Sequence, residues 1–342
     1  MILVQDKLSR PLSDLRISVT DRCNFRCPYC MPAEIYGERY EFLPKTEILT
    51  FEEIERLARI FVHLGARKLR LTGGEPLVRA EFPRLVEQLA SINDVEDFAL
   101  TTNGFLLPKY AQTLRNAGLR RVTVSLDSLN DEVFRQMNGL GYSKDQVLLG
   151  IESAEKAGLY PIKINCVVLK GVNDHTLVDL ARHFKGTGHI VRFVEFMDVG
   201  NLNGWDISKV VTAREIFERI NVELPLEALP ANYHGEVANR FRYRDGGGEI
   251  GIIASVTQPF CGDCTRARLS TEGKLVTCLF AKDGFDLRAP LRAGVPDESI
   301  REMIQSLWSR RSDRYSELRS ESINSNRELP QHRKIEMYRL GG

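Results

Sequence analysis

No apolar run in the chain approaches the ~18 residues that a membrane-spanning helix requires, so helical membrane proteins drop out of the classes to consider. Net charge is also missing. Against 47 Lys and Arg stand 46 Asp and Glu, leaving +1. Bulk electrostatics therefore favours neither nucleic acid nor an anionic membrane, and any anion site must come from local clustering of Arg and Lys. The start of the chain lacks the character of a secretory leader, because Gln5, Asp6, Lys7 and Arg10 interrupt its short apolar stretch. The cytoplasm is the expected compartment, where thiols are kept reduced and structural disulfides are rare. Internal repeats and low-complexity tracts are absent too.

What is present is an ordinary soluble composition, 43% hydrophobic and 27% charged over 342 residues, enough for a barrel plus a smaller appendage. Six of the seven cysteines fall into two clusters, Cys23/Cys27/Cys30 and Cys261/Cys264/Cys278. Clustered cysteines in a reducing compartment read first as metal or redox ligands. Cys166 stands alone inside the apolar run Ile164–Leu169 and reads as a small core residue.

Short β-rich runs alternate with helical spacing as far as Met197. The runs are Leu15–Val19, Leu69–Thr72, Phe98–Thr101, Val122–Leu126, Ile162–Leu169 and Ile190–Phe196. Thr50 and Glu53 form a capping-box pattern ahead of Ile54, Leu57, Ala58, Phe61 and Val62, with Gly65 as the stop. Further helices are expected over Phe82–Ala90, Leu107–Ala117, Val147–Ala157 and Thr176–Phe184. Six strand–helix units predict a parallel α/β architecture, either doubly wound or barrel-like. Both place ligands at the carboxyl ends of the strands, where Thr72-Gly73-Gly74-Glu75, Thr101-Thr102-Asn103-Gly104 and Ser125-Leu126-Asp127 fall. A domain boundary is expected near residue 225, dividing 1–225 from 226–342. Strand-like runs at Arg240–Arg244 and Ile250–Ile253 follow it, and Ser309–Lys334 reads as a solvated helix and loop.

The first cluster, Cys23-Asn24-Phe25-Arg26-Cys27-Pro28-Tyr29-Cys30, directly follows the first strand. Three thiolates can hold three corners of a cubane iron–sulfur cluster and leave the fourth iron open. A zinc site would want a fourth ligand, and none occurs before His63. The second cluster again supplies three cysteines. His234 or His332 could complete a zinc site there, and a second open-cornered cluster is the other reading. Arg266 and Arg268 follow Cys264 and share one face of a strand, where planar guanidinium forks suit phosphate.

The three-cysteine loop, with Gly73-Gly74-Glu75-Pro76, resembles the radical S-adenosylmethionine superfamily. Leu69–Pro76, Thr101–Phe105, Val124–Ser128, Arg192–Met197, Cys261/Cys264/Cys278 with Arg266 and Arg268, and the terminal Gly341-Gly342 extend the match. Over essentially its whole length the chain resembles the molybdenum cofactor biosynthesis protein A family, the GTP 3′,8-cyclases. That resemblance implies an incomplete six-unit (β/α) TIM-like barrel with a C-terminal iron–sulfur cluster domain. It implies two 4Fe-4S clusters on the six cysteines, and S-adenosylmethionine contacted by Tyr29, Gly74, Ser125 and Met197. GTP would be held by Arg16, Arg70, Thr101, Lys163, Arg266 and Arg268, with Lys68 and Arg192 as weaker candidates. Reductive cleavage of the cofactor would yield a 5′-deoxyadenosyl radical that takes H3′ from GTP, and C3′ would then add to guanine C8 to give (8S)-3′,8-cyclo-7,8-dihydroguanosine 5′-triphosphate. The glycine tail would thread toward the active site. The implied partners are GTP, an external one-electron reductant and the next pathway enzyme, cyclic pyranopterin monophosphate synthase. A homodimer is compatible with the resemblance, and neither nucleic acid nor a membrane is expected. Two other readings stay open on the residues alone: a peptide-modifying radical enzyme with auxiliary clusters, and a zinc module that docks a partner.

Overall fold

Residue-by-residue alternation builds the sheet. The computed structural model describes residues 4–325 and 333–341. In β1 (Asp14–Ser18) and β2 (Lys68–Thr72), Leu15, Ile17, Leu69 and Leu71 occupy one face and are fully buried. Asp14, Arg16, Lys68 and Arg70 occupy the other, because successive side chains point to opposite faces. The same holds in β3 (Asp97–Thr102), β4 (Arg121–Ser125), β5 (Lys163–Val168) and β6 (Ile190–Glu195), whose apolar faces carry Leu100, Val124, Cys166 and Phe193. Cys166 is thus the core residue its surroundings suggested.

Helices α1 (Phe51–His63), α2 (Phe82–Ala90), α3 (Leu107–Asn116), α4 (Asp131–Asn138), α5 (Lys144–Lys156) and α6 (Leu177–Phe184) lie between consecutive strands, and α7 (Ala213–Glu223) follows β6. Their buried faces join the apolar strand faces in one continuous core. The capping box at α1 is complete: Glu53 N donates to Thr50 Oγ1 at 3.1 Å, and Thr50 N donates to Glu53 Oε2 at 2.8 Å. The periodicity did not reveal α4 or α7. Helix α4 is short and polar, buries only Phe134, Met137 and Asn138, and is started by Asn130 Oδ1.

The remaining strands are β7 (Leu226–Leu229), β8 (Asn239–Tyr243), β9 (Glu249–Ile253), β10 (Arg266–Leu269), β11 (Lys274–Val276) and β12 (Phe285–Asp286). The sheet order is β12-β11-β10-β1-β2-β3-β4-β5-β6-β9-β8-β7, and β10 and β9 run parallel to their neighbours β1 and β6. A doubly wound sheet reverses its strand order, whereas β1 to β6 run in unbroken sequence. Right-handed crossovers of one sense then set the helices on one face. Strands β10, β1, β2, β5, β6 and β9 all line a single cavity, so the sheet curls around its polar face.

Helices α8 (Arg288–Arg292), α9 (Asp297–Ser309), α10 (Tyr315–Asn324) and α11 (Met337–Leu340) complete the chain. The expectation of a fully solvated segment after Ser309 is corrected at α10. Arg319 is completely buried and donates to Asp198 and to Ser255 O, so an ion pair accounts for a charge that composition would place in water. Among the described residues no helix is long and apolar enough to cross a membrane.

One buried carboxylate ties the end of β6 to the segment leading into the second cysteine cluster. Glu195 accepts from Ala213 N at 2.7 Å, Val256 N at 2.7 Å and Thr257 N at 2.9 Å, and also from Thr257 Oγ1. Glu195→Gln would turn an amide NH2 toward those donors and should cost about 1–3 kcal/mol. The check is a lowered urea midpoint; an unchanged midpoint would show the carboxylate to be dispensable.

Candidate active site

The first cysteine loop is held from three sides. Cys30 N and Met31 N both donate to Cys27 O, at 2.9 and 2.8 Å, which closes the turn between two thiols. Arg26 donates to Cys23 O at 2.8 Å and Tyr36 O at 2.6 Å, and Asn103 Nδ2 donates to Asn24 Oδ1 at 2.8 Å. The glycine turn after β2 presses against this loop so closely that a Cβ on Gly74 would stand 2.3 Å from Arg22 O. The glycine is required first by the approach of the chain's own backbone. Cys23, Cys27 and Cys30 then line a cavity of about 740 Å³ together with Tyr29, Gly74, Thr101 and Ser125. Tyr29 OH donates to Asp127 Oδ2 at 2.7 Å, and Thr101 Oγ1 is buried without a partner.

Three half-buried thiols side by side disfavour ionisation. Burial, and secondly Glu75, push Cys23 up to about 12. Burial raises Cys27 and Cys30 further, with Asp127, Cys23 and Cys30 adding to it at Cys27. A strongly thiophilic metal would overcome that penalty, and three sulfur donors suit iron–sulfur ligation. Among the described residues no three His, Cys, Asp or Glu side chains converge as ligands of one ion. Thiolates that each cap a separate iron of a cubane need no such convergence, and three sulfur donors fit that group.

The second cavity, about 1150 Å³, is lined by Cys261, Cys264 and Cys278 and by a wall of arginine. Arg268, Arg16 and Arg70 sit directly abreast on β10, β1 and β2, on strands roughly 4.8 Å apart. All three are buried, their Nε atoms lack partners, and among the described residues none of them, nor Arg266, forms an ion pair. Burial, then Arg268 and Arg70, drive Arg16 well below its ordinary value. Burial and Arg266 bring Arg268 down to about 10, and burial and Arg70 bring Arg192 to about 9. Asp14, which lines the same cavity, opposes these shifts only in part; buried charge without an ion-pair partner costs several kcal/mol per ion, and a bound polyanion would relieve that cost.

The same arginines condition the sulfur. Arg266 reaches Cys264 Sγ at 3.2 and 3.3 Å, and Arg311 reaches it at 3.3 Å. Burial pushes this thiol up, yet Arg266 and Arg311 override it and bring Cys264 down to about 6. Cys278 is held up at about 11 by burial and Asp313. Sequence reasoning missed Arg10 and Arg311. Both bind buried Asp6, and Arg10 Nη1 also donates to Cys261 O at 2.6 Å. Arg10 is only four positions from Asp6, but the Arg10–Cys261 contact spans 251 positions and the Arg311–Asp6 pair 305, so no local signal places either arginine at the cluster loop.

The expected site residues therefore divide. Tyr29, Gly74, Thr101 and Ser125 line the first cavity; Arg16, Arg70, Arg266 and Arg268 line the second, and so does Met197. Lys163 lines neither. It occupies a smaller space of about 350 Å³ with Tyr233, Glu236 and Arg192. Lys68 faces Asp97 at 3.7 Å and the Tyr233 ring at 3.9 Å. His234 is exposed beside Asp263 and does not line the cysteine cavity, while His332 lies outside the described residues. Met337 lines both cavities and so marks their junction. Gly341 packs on β2, where a Cβ would meet Thr72 Cγ2 at 2.0 Å; Gly342 lies outside the described residues.

A cubane-bearing loop after strand one of a parallel α/β sheet is the layout of a radical S-adenosylmethionine protein, and the comparisons agree. Residues 17–184 match the model of the Radical SAM superfamily, and residues 189–317 match that of Molybdenum Cofactor Synthesis C. The chain belongs to the radical SAM superfamily. It is 55% identical over 358 residues to the GTP 3′,8-cyclase of Acidothermus cellulolyticus and 49% identical over 340 residues to that of Staphylococcus carnosus, with 99% of each chain covered. A solved methylornithine synthase is 18% identical, with a TM-score of 0.45 over 61% of this chain and 62% of its own. Within the superfamily, the chain belongs to the family of the GTP 3′,8-cyclases.

Burial, then Arg192, Arg121 and Arg70, lower Lys163 to about 7, with Glu236 opposing them. Lys163 is thus an ammonium below that pH and a free amine above it. Acetic anhydride labelling read by mass spectrometry should show reactivity rising through that value. Arg192→Leu should move the midpoint upward by removing a neighbouring cation. A native midpoint at the ordinary lysine value of about 10.4 would sink the assignment.

Proposed function

We propose that this chain is a GTP 3′,8-cyclase of molybdenum cofactor biosynthesis, with Cys23, Cys27 and Cys30 holding one 4Fe-4S cluster and Cys261, Cys264 and Cys278 a second. The observation that carries the reading is the row Arg268–Arg16–Arg70, buried and, among the described residues, without an ion-pair partner, on the wall of a cavity that also holds the second cysteine trio. A ligand with phosphates at one end and a heterocycle at the other matches those two features. When bound, the first cluster and S-adenosylmethionine would supply one-electron cleavage of a sulfonium bond and abstraction of the C3′ hydrogen of GTP; bonding of C3′ to guanine C8 would then be completed by a second electron from the external reductant and a proton at N7.

The protein's own part is binding and orientation. Tyr29, Gly74 and Ser125 position S-adenosylmethionine, with Thr101 beside them; Met197, expected with them, lines the second cavity instead. Arg16, Arg70, Arg266 and Arg268 neutralise the triphosphate, and Lys163, expected with them, lies in a separate smaller space. Holding the ribose in one pose matters because a primary carbon radical reacts with whatever lies nearest. Residues 1–225 form the incomplete six-unit barrel and 226–342 the cluster-bearing remainder. We assign the chain to the cytoplasm, with an external one-electron reductant and the following enzyme of the pathway as functional partner.

Anaerobic reconstitution should load about eight irons per chain, and Cys278→Ser about four. GTP should stimulate 5′-deoxyadenosine formation and yield a cyclised nucleotide. Arg268→Ala should weaken GTP binding about tenfold or more, the loss expected for a charge-assisted contact, without changing the iron count. GTP that leaves cofactor cleavage unaltered and yields no cyclised product would overturn the reading.

A further inference from the structure

The last described residues form a wall shared by both cavities, and a loop elsewhere in the chain grips them. Met337 lines both spaces, Tyr338 lines the first, and Gly341 abuts Thr72. Directly upstream, Asn201 binds this segment as one strand binds another. Its Nδ2 donates to Lys334 O at 2.7 Å and to Glu336 Oε1 at 2.7 Å, and its Oδ1 accepts from Lys334 N at 2.8 Å. Its own N–H donates to Glu336 Oε1 at 3.2 Å. Lys334 Nζ then reaches back to Asp198, at 2.6 Å to the carbonyl and 2.7 Å to Oδ2. Glycine suits position 200 because the backbone there is left-handed, with φ of 66°, and a Cβ would stand 2.3 Å from Glu336 Oε2.

The gripping loop is itself fastened to the end of β6. Asn203 Nδ2 donates to Met197 O at 3.0 Å, and Trp205 Nε1 donates to Phe196 O at 2.8 Å. Met197 lines the nucleotide cavity. Asp198 also accepts from Tyr315 OH at 2.6 Å and pairs with Arg319, which ties α10 into the same knot. Burial would raise this carboxyl, but Arg319 and Lys334 hold it below its ordinary range, so it stays ionised near neutrality. One short loop therefore joins the strand end beside the second cysteine cluster to the segment standing between the two cavities.

We propose that residues 198–203 form a latch holding the C-terminal segment across the junction of the cavities, and that Asn201 and Lys334 are positioning residues coupling cofactor cleavage to nucleotide cyclisation. The proposal rests on the cyclase reading above. The latch places Met337 and the residues after it, so that hydrogen abstraction reaches the bound nucleotide rather than a stray donor. Asn201 touches neither cavity, and it is exposed, so its replacement tests position without opening the core.

The test uses the full chain with both clusters reconstituted, in native form and as Asn201→Ala, Asn201→Asp and the double variant Asn201→Asp with Glu336→Gln. Iron content, GTP affinity, the ratio of cyclised nucleotide to 5′-deoxyadenosine, and release of C-terminal residues by carboxypeptidase are measured on each. Asn201→Ala should keep its iron and hold GTP affinity within about twofold, while the coupling ratio falls about fivefold or more and the terminus is released faster. Asn201→Asp should be worse, because two carboxylates then face each other, and Glu336→Gln should restore part of both readouts. A terminus released no faster overturns the latch. Faster release with an unchanged coupling ratio overturns the coupling. If the native chain itself makes no cyclised nucleotide, the cyclase reading fails instead, and the carboxypeptidase comparison still decides the latch.

Discussion

Buried positive charge inside a curled sheet is the constraint on which the remaining structure depends. Arg268, Arg16 and Arg70 stand abreast on three neighbouring strands with no carboxylate in ion-pair reach. Side chains that lose water and repel one another can persist only if the opposite face of the same strands is strongly stabilised. Here that face is an unbroken apolar layer under the helices, in which Leu15, Ile17, Leu69 and Leu71 are all inaccessible. The two faces divide the work: one supplies stability and the other carries an unmet demand for anion.

That demand also conditions the second metal site. Arg266 and Arg311 turn the Cys264 sulfur toward the thiolate, whereas the cysteines after β1 lie among groups that disfavour it, Glu75 near Cys23 and Asp127 near Cys27. Cys264 thus sits in a field opposite to that of the first trio, while Cys278 is held up by burial and Asp313. The second trio shares its cavity with a wall of arginine; the first shares its cavity with glycine, hydroxyl and amide groups. Met337 belongs to both walls, so the two cavities adjoin at the segment that the loop after β6 holds.

Much of the site was legible because its signals are local. Cys23, Cys27 and Cys30 lie within one turn of chain, and Arg266 and Arg268 need only the two-residue period of a strand to share a face. The Thr50–Glu53 box spans three residues and formed as written. What escaped was made by distance. Arg10 and Arg311 brace the second cluster loop from both ends of the chain, and Asn201 meets Glu336 across 135 positions. Arg319 was taken for a solvated residue because its partner, Asp198, lies 121 positions earlier. Lys163 and Met197 were expected among the nucleotide and S-adenosylmethionine contacts respectively, but Lys163 lines neither main cavity and Met197 lines the second, because their placement depended on where the sheet curls.

Residue type and spacing alone determined that this chain carries six thiols in two trios, strands with one apolar face, and arginines poised on the other, since each of these is a property of a few neighbouring residues. Tertiary structure alone decided that the winding never reverses, that β10 returns to lie beside β1, and that the arginines of one meet the arginine of the other. Strand order is a contest among long-range pairings with similar local patterns, and only the packing of the whole chain selects the winner.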